Sequence, residues 1–442
     1  MGGIISPFAH LIDIDEKTSV YWNSLWLRAI YLTGDERDQV RTFFRDEENS
    51  INYKEVLDSP ELLKALKDNH FFSSTADDEK IKAVRTALSV QGIGILYLIV
   101  AEGCNLACGH CYLRDMIMRE QSMKKKMTKD TAKMAIDLFA GTVKKGGIEE
   151  PQIIFYGGEP LLNWEVIRWS LAYAGELVPN CRFMINTNGT LITLEIAKIL
   201  RQYNVEVGLS IDGKRHDDYR TTLSGKGSLS EALEAFKILK DANVGTGISY
   251  TITETNIDII EDDLAWLIDE IGVESIDYNI LIGSYEPNAD YAKRAAEGLL
   301  SAFKMARKRG MLIDRVMRII EPFNEGKLNL YDCGGCGQQL VFSAEGLVGC
   351  CQAFLNSGEC FYQPEEVRDP DNHPLWKAWK QRSPFNIPEC LKCAALGVCG
   401  GGCFYNAYLR GGDVMDVDTA HCELALQTLH FLLEELKIKV NS

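Results

Sequence analysis

No apolar run in this 442-residue chain reaches the roughly 18 residues that a membrane-spanning helix needs, so no membrane partner is expected. The start shows neither the charged n-region nor the apolar h-region of a secretion signal, which leaves a cytoplasmic protein as the expectation. Positive charge is short as well: 47 Lys and Arg face 63 Asp and Glu, for a formal net charge of -16. That balance argues against a chain whose task is to grip a phosphate backbone, and no nucleic-acid partner is expected. Internal repeats and low-complexity segments are absent, which excludes solenoids and long linkers. With 46% hydrophobic and 25% charged residues, wholesale disorder is excluded too. Cysteine, in contrast, is plentiful. Fourteen of them in a chain too large to need disulfide staples read as reduced thiols bound to something.

The chain divides into three stretches. Residues 1–90 read as short strands at His10–Ile14 and Thr18–Trp22, with a further strand or helix at Leu25–Leu32. Helical stretches follow at Glu36–Arg45, Pro60–Asn69 and Asp77–Leu88. This is either a small domain or a cap on the next one. Over residues 91–310, β-branched apolar runs at Ile95–Val100, Gln152–Tyr156, Arg182–Asn186, Glu206–Ile211, Gly247–Ile252 and Ile276–Ile282 alternate with amphipathic helices. That rhythm predicts βαβ units and a parallel sheet, hence an α/β fold. Over residues 311–442 the rhythm stops. Residues 330–425 are rich in Cys and Gly and poor in periodicity, as in folds organised by metal, and a helix is predicted at Thr419–Val440.

Two cysteine groups carry the chemistry. Cys104, Cys108 and Cys111 follow directly on the first strand of the alternating region, at the carboxyl end of the sheet, where α/β folds place their sites. Three thiolates on one short loop can hold three irons of a four-iron, four-sulfur (4Fe–4S) cluster and leave the fourth open. A zinc ion with His110 as fourth ligand fits the triplet equally well. Later strands run into Gly157-Gly158-Glu159-Pro160, into Asn186-Thr-Asn188, and into Ser210-Ile-Asp212. The glycines allow close backbone approach, Glu159 is suited to an ammonium, and the short polar groups suit hydroxyls or an amino-acid moiety. The second group is Cys390, Cys393, Cys399, Cys403 and Cys422, preceded by Cys333, Cys336 and Cys351. Paired spacings of this kind also hold zinc.

Taken together, these motifs resemble the radical S-adenosylmethionine (SAM) superfamily. Its cysteine spacing matches Cys104, Cys108 and Cys111, and its SAM-amino-group motif matches Gly157, Gly158 and Glu159. His110 departs from the aromatic, apolar residue usual before the last cysteine. The later cysteines match the SPASM pattern of radical SAM maturases. The resemblance implies a partial (β/α)6 barrel over residues 91–310 and a bridging region with a SPASM domain over residues 311–442. It implies SAM and three 4Fe–4S clusters as cofactors. One auxiliary cluster would take Cys333, Cys336, Cys351 and Cys403, and the other Cys390, Cys393, Cys399 and Cys422. That leaves Cys181, Cys350 and Cys360 over, with Cys350 and Cys360 as possible replacements for an assigned ligand. Ser210 and Asp212 become candidates for the SAM ribose, and Arg220 for its carboxylate.

SPASM-containing enzymes typically act on peptides. The resemblance therefore implies an oxidoreductase that matures a ribosomally made peptide by cross-linking it, through a thioether first and a carbon–carbon bond second. Residues 1–90 would be a winged-helix-like leader-peptide recognition domain, taking a strand onto a sheet edge. The partners implied are a precursor peptide and an external electron donor of the flavodoxin or ferredoxin type. The runner-up is a sulfatase-maturing enzyme that forms formylglycine, which leaves the first 90 residues unexplained. A non-catalytic peptide-binding iron–sulfur protein is a third class. Tyr250, Thr251, Tyr278, Trp164, Trp376 and Trp379 read as packing or lining, and no residue facing the abstracted hydrogen is named.

Overall fold

The computed structural model describes residues 4–45, 57–90, 92–119, 121–282 and 289–440. The chain opens with three strands, β1 (Ala9–Asp13), β2 (Thr18–Asn23) and β3 (Arg28–Thr33), paired antiparallel in the order β1-β2-β3. The undecided stretch at Leu25–Leu32 is thus a turn through Leu27 followed by a strand from Arg28. Helices α1 (Gly34–Arg45), α2 (Pro60–Asp68) and α3 (Thr75–Leu88) follow. Ser59 caps α2, its side chain accepting from the Leu62 amide, and Pro60 needs no donor at that position.

Strand alternation gives this small sheet two apolar faces. On one face Tyr21 and Leu32 join Val40 of α1, Leu62 and Leu66 of α2, and Phe71 in a local core. The other face carries Val20 and Trp22 into the main core of the molecule. There the Trp22 indole donates to the Ala394 carbonyl at 2.8 Å, and its ring stacks 5.6 Å from Phe323. The unit thus has a small apolar core of its own and packs its other face against the rest of the molecule.

Six parallel strands form the centre: β4 (Ile95–Ala101), β5 (Gln152–Gly157), β6 (Arg182–Thr187), β7 (Glu206–Ser210), β8 (Thr246–Thr251) and β9 (Ile276–Asn279). They lie side by side in chain order. The connecting helices are α4 (Lys129–Gly146), α5 (Trp164–Leu177), α6 (Leu194–Gln202), α7 (Leu229–Asp241) and α8 (Ile260–Trp266). The last of these passes into a π-helical turn, Leu267–Ile271. Leu96, Leu98, Val100, Phe155, Ile185 and Leu209 are fully buried among helix residues. Each contributes about 1.5–3 kcal/mol of burial. Alternate residues on the opposite face, Tyr97, Tyr156, Asn186, Ser210 and Thr251, are only partly buried and line the concave side.

Two features were not anticipated. After α9 (Ala289–Lys308), a helix α10 spans Asp314–Glu325 with Pro322 in its last turns, and Val316, Ile319 and Ile320 bury its inner stripe. The proline masked this periodicity. Further on, β10 (Gln339–Phe342) pairs parallel to β4, and β11 (Val348–Gly349) and β12 (Phe361–Tyr362) extend the sheet antiparallel. The cysteine-rich stretch thus shares one nine-stranded sheet with the central strands. Helices α11 (Pro374–Lys380), α12 (Phe404–Gly411) and α13 (Thr419–Val440) complete the chain. Among the described residues, no helix is long and apolar enough to cross a membrane.

Candidate functional site

The carboxyl ends of β4–β9 all lie on one rim, because the strands are parallel and in sequence order. The first loop carries Cys104, Cys108 and Cys111. The β4–β5 pairing shifts register between Ile99 and Ala101, so Val100 is an extra residue that turns the chain as it enters this loop. The two glycines that follow β5 make room for it. A Cβ on Gly157 would lie 2.0 Å from the Ala101 carbonyl oxygen, and one on Gly158 would lie 2.3 Å from that of Gly103. Glycine is required there for the cysteine loop and the β5 loop to touch, whatever else the motif does.

Glu159 is fully buried. Its Oε1 accepts from the Leu161 amide at 3.0 Å and the Thr187 hydroxyl at 2.7 Å, and its Oε2 accepts from the Asn188 amide at 2.9 Å. Burial nevertheless pushes its carboxyl up to about 7, since the charged form loses more hydration than these donors return. Pro160 is buried and starts the short turn that follows. Glu159 thereby braces the β5 loop against the end of β6, a role invisible in sequence because its partners lie 28 and 29 residues away. Asn188 continues the brace. Its Nδ2 donates to Asn105 Oδ1 at 3.0 Å and lies 3.8 Å from Cys104 Sγ, while its Oδ1 accepts from the Thr190 amide and hydroxyl. The Asn105 amide group in turn donates to Thr190 Oγ1 at 2.7 Å. Asn105 and Thr190 were missed by sequence reasoning, and only their proximity in space reveals them. Asn186 points across to β7, where a Cβ at Gly208 would lie 2.2 Å from its Oδ1.

Asp212 and Arg220 form a buried ion pair, with Nε–Oδ2 at 2.6 Å and Nη2–Oδ1 at 3.1 Å. Asp212 also accepts from the Thr251 amide at 2.8 Å. Burial opposes its ionisation, but Arg220 and the neighbouring imidazoles hold its carboxyl below the usual range. Arg220 donates to Thr251 Oγ1 at 3.3 Å, and its positive charge opposes the upward push of burial on the Cys108 thiol. Behind the pair, His216 Nδ1 accepts from the Asp212 amide, so its Nε2 carries the proton and meets Ser228 Oγ at 3.0 Å. Ser228 passes the chain on to the Arg220 carbonyl at 2.7 Å. The residues around Arg220 thus form one hydrogen-bonded network that holds its guanidinium near the Cys108 and Cys111 thiols. Ser210 lies partly buried at the end of β7.

The triplet is cohesive. Burial, followed by Glu159, Cys108 and Cys111, pushes the Cys104 thiol up to about 12. Charge on Cys108 also raises Cys111, behind burial. His110, nine-tenths buried, has its Nε2 3.8 Å from Asp212 Oδ2 and no partner for its Nδ1. Tyr112 and Tyr156 meet at 2.8 Å between their hydroxyls on the concave side. Among the described residues, no three Cys, His, Asp or Glu side chains close to the spacing of one metal ion. Thiolates that bind different irons of one cluster stand farther apart than ligands of a single ion. Three mutually interacting thiols beside a guanidinium, with an orphaned buried imidazole nitrogen among them, fit a thiolate-held cluster and a polar cofactor next to it.

The remaining cysteines gather in two sets across the cysteine-rich stretch. Burial, then Cys403 and Cys333, raise the Cys351 thiol, and Cys333 raises Cys336 behind burial. Burial, then Cys422 and Cys390, raise Cys399, and Cys390 and Cys393 both act on Cys422. Cys350 and Cys360 lie against the first set, since burial, Cys360, Cys351 and Cys336 all raise Cys350. Cys181 sits at the opposite end of β6 from the rim. Between the two sets runs a buried polar scaffold: Asp332 is opposed by burial yet held at about 2 by His421, Arg315, Arg318 and Arg382. Arg382 donates to the Gly401 carbonyl at 2.8 Å. Tyr250, Tyr278, Trp376 and Trp379 are buried, as expected of packing residues.

The radical SAM superfamily model matches residues 98–267, and that superfamily binds SAM and a 4Fe–4S cluster. An uncharacterised protein of Methanocaldococcus jannaschii is 34% identical over 195 residues, 43% of this chain. The chain spans 64% of that relative's length. The radical SAM cyclopropyl synthase TigE of Paramaledivibacter caminithermalis is 24% identical over 378 residues, covering 82% of this chain and 78% of TigE. The serine-type anaerobic sulfatase-maturating enzyme of Bacteroides thetaiotaomicron is 29% identical over 374 residues, covering 75% of this chain and 87% of that enzyme. In fold, the chain is similar to Streptococcus suis SuiB bound to its precursor peptide SuiA. The TM-score is 0.54 at 16% identity, covering 95% of this chain and 99% of SuiB.

Proposed function

On the match of residues 98–267 to the radical SAM superfamily model, we propose that this chain is a radical SAM enzyme that matures a ribosomally made peptide by an intrapeptide cross-link, a thioether first. When bound, SAM and a reduced cluster supply a 5′-deoxyadenosyl radical that removes a hydrogen atom from the substrate. Cys104, Cys108 and Cys111 would hold that cluster. The Gly157–Pro160 turn would receive the SAM amino group, Arg220 its carboxylate, and Ser210 and Asp212 its ribose. Asp212 is already paired with Arg220, so on this reading it orients the guanidinium as well. Asn186 and Asn188 complete the polar wall.

Thioether formation breaks one C–H and one S–H bond and makes one C–S bond. One hydrogen leaves as an atom to the deoxyadenosyl carbon, one leaves as a proton, and one electron needs an acceptor. Cys333, Cys336, Cys351 and Cys403, and Cys390, Cys393, Cys399 and Cys422, would hold two further clusters. Four thiols on each leave no iron open to substrate, which suits them to passing electrons. The domain assignment follows: residues 1–90 for leader recognition, 91–310 for the barrel, and 311–442 for the bridge and SPASM domain.

The observation that carries the peptide reading is the amino-terminal sheet. Among the described residues its outer strands β1 and β3 have no further strand partner, so a winged-helix-like unit is available to take a leader as an added strand. The sulfatase-maturing alternative gives that sheet no role. The test is mass spectrometry of the small peptide encoded beside the gene, after anaerobic incubation with the reconstituted protein, SAM and dithionite. Loss of two hydrogens together with one free thiol is expected. The same loss with thiols intact indicates a carbon–carbon bond, and an unaltered peptide mass would overturn the cross-linking assignment.

A further inference from the structure

Three basic side chains lie buried among the described residues: Arg220, Lys380 and Arg382. Arg220 pairs with Asp212 at 2.6 Å and Lys380 with Asp371 at 2.9 Å. Arg382, the most buried of them at 1% exposure, follows closely on α11 and makes its side-chain hydrogen bonds to backbone carbonyls alone. Its Nε donates to Val414, its Nη1 to Gly401 at 2.8 Å and Gly402 at 3.5 Å, and its Nη2 to Asp416 at 3.1 Å. Carbonyl dipoles satisfy the guanidinium donors but do not cancel the charge. Asp332 feels that charge, but behind His421, Arg315 and Arg318. A buried cation with no carboxylate of its own is costly unless other anions approach it.

The groups that flank Arg382 are the two cysteine sets. Its acceptors Gly401 and Gly402 lie in the turn Gly400–Gly402, which joins Cys399 of one set to Cys403 of the other. All three glycines have positive φ, 74°, 92° and 70°, a backbone that side chains strain. Within the turn the Gly401 amide donates to Cys399 Sγ at 3.3 Å, while the Gly401 carbonyl accepts from Arg382. On the far side the guanidinium carbon lies 4.6 Å from the centre of the Phe404 ring, the residue after Cys403. Burial raises the thiols of Cys333, in one set, and Cys390, in the other, and Arg382 opposes the rise at both. Asp332 acts with the opposite sign on Cys333 and Cys399, again one from each set. Protonated thiols offer this cation no counter-ion, whereas thiolates would surround it with negative charge.

We infer that Arg382 is the shared counter-charge of both auxiliary centres, held between them by the Gly400–Gly402 turn, and that it raises the reduction potential of each, with Asp332 as a partial offset. This rests on the reading that the eight later cysteines hold two clusters. A centre that takes up one electron gains one negative charge, with no bond made or broken and no proton moved, and a fixed cation beside it stabilises that reduced form. The electron released by thioether formation is the one that such a centre would accept.

The test is an anaerobic redox titration of the reconstituted full chain, followed by electron paramagnetic resonance. The Cys104→Ala/Cys108→Ala/Cys111→Ala variant identifies the auxiliary signals. In Arg382→Gln the reduced-to-oxidised ratio of both auxiliary centres at a fixed potential is expected to fall about tenfold, which is about 59 mV for one electron. The first centre is expected to stay where it is. Arg382→Lys keeps the charge without the fork and is expected to restore most of the loss. Asp332→Asn is expected to move both auxiliary centres the other way, and it decides the matter if Arg382→Gln loses its auxiliary iron. Auxiliary potentials left in place by Arg382→Gln, or by Asp332→Asn where the first cannot be measured, overturn the counter-charge. So does a shift confined to one auxiliary centre, or one that Arg382→Lys reproduces in full, which would assign the effect to the shape of the fork. About four irons or fewer in the wild type would overturn the cluster reading itself, and the counter-charge with it.

Discussion

The two cysteine sites of this chain are built in opposite ways. The triplet sits on one eight-residue loop, Cys104–Cys111, at the end of a buried parallel strand. Around it, Glu159, Asn105, Asn188, Thr190 and the Asp212–Arg220 pair form a network of hydrogen bonds among protein groups. The later cysteines are spread from Cys333 to Cys422, most of them beside two-residue strands and single turns and the last in the first turn of α13. There the scaffold is thin, apart from the Asp332 and Arg382 network. The contrast suggests that the first site is carried by its fold, whereas the second region is carried in large part by what its thiols bind.

The strongest way to break this comparison is to remove one ligand from each site. Cys399→Ala, in a buried position touched by Cys422 and Cys390, is expected to cost at least about 4 kcal/mol of holoprotein stability. Cys108→Ala is expected to cost less than about 1 kcal/mol. Anaerobic denaturant unfolding checks both, and equal losses would erase the distinction.

A smaller effect sharpens the account of the first site. Glu159 rises from 4.5 to about 7, so between those values the folded chain keeps a proton that the unfolded chain has released. Its contribution is full below pH 4.5 and declines as pH rises towards about 7, by about 3 kcal/mol. Subtracting the stability of Glu159→Gln from that of the wild type, at about pH 5 and about pH 7.5, isolates this slope from other carboxylates. A difference independent of pH would mean that the buried carboxylate stays ionised throughout.

The same contrast governs what could be read from sequence. Parallel strands buried on their helix side, such as Ile95–Ala101, read as apolar β-branched runs, so all six were found with their helices. The triplet and the glycine turn are contiguous, hence legible. Strand β10 escaped because four residues inside a cysteine-rich stretch carry no period, and α10 because Pro322 argues against the helix that Val316, Ile319 and Ile320 form. Asn105 and the Tyr112–Tyr156 pair act through partners 44 to 85 residues away, and no local pattern marks them. In the other direction, Asp212 and Glu159 were read as open ligands, while the structure shows that each already holds a neighbouring loop in place.

Iron analysis of the anaerobically reconstituted protein, beside its Cys104→Ala/Cys108→Ala/Cys111→Ala variant, tests the central claim most directly. The account predicts about twelve irons in the wild type and about eight in the variant, with 5′-deoxyadenosine formation from SAM and dithionite abolished only in the variant. Four or fewer irons in the wild type, or SAM cleavage that survives the triple substitution, would contradict it.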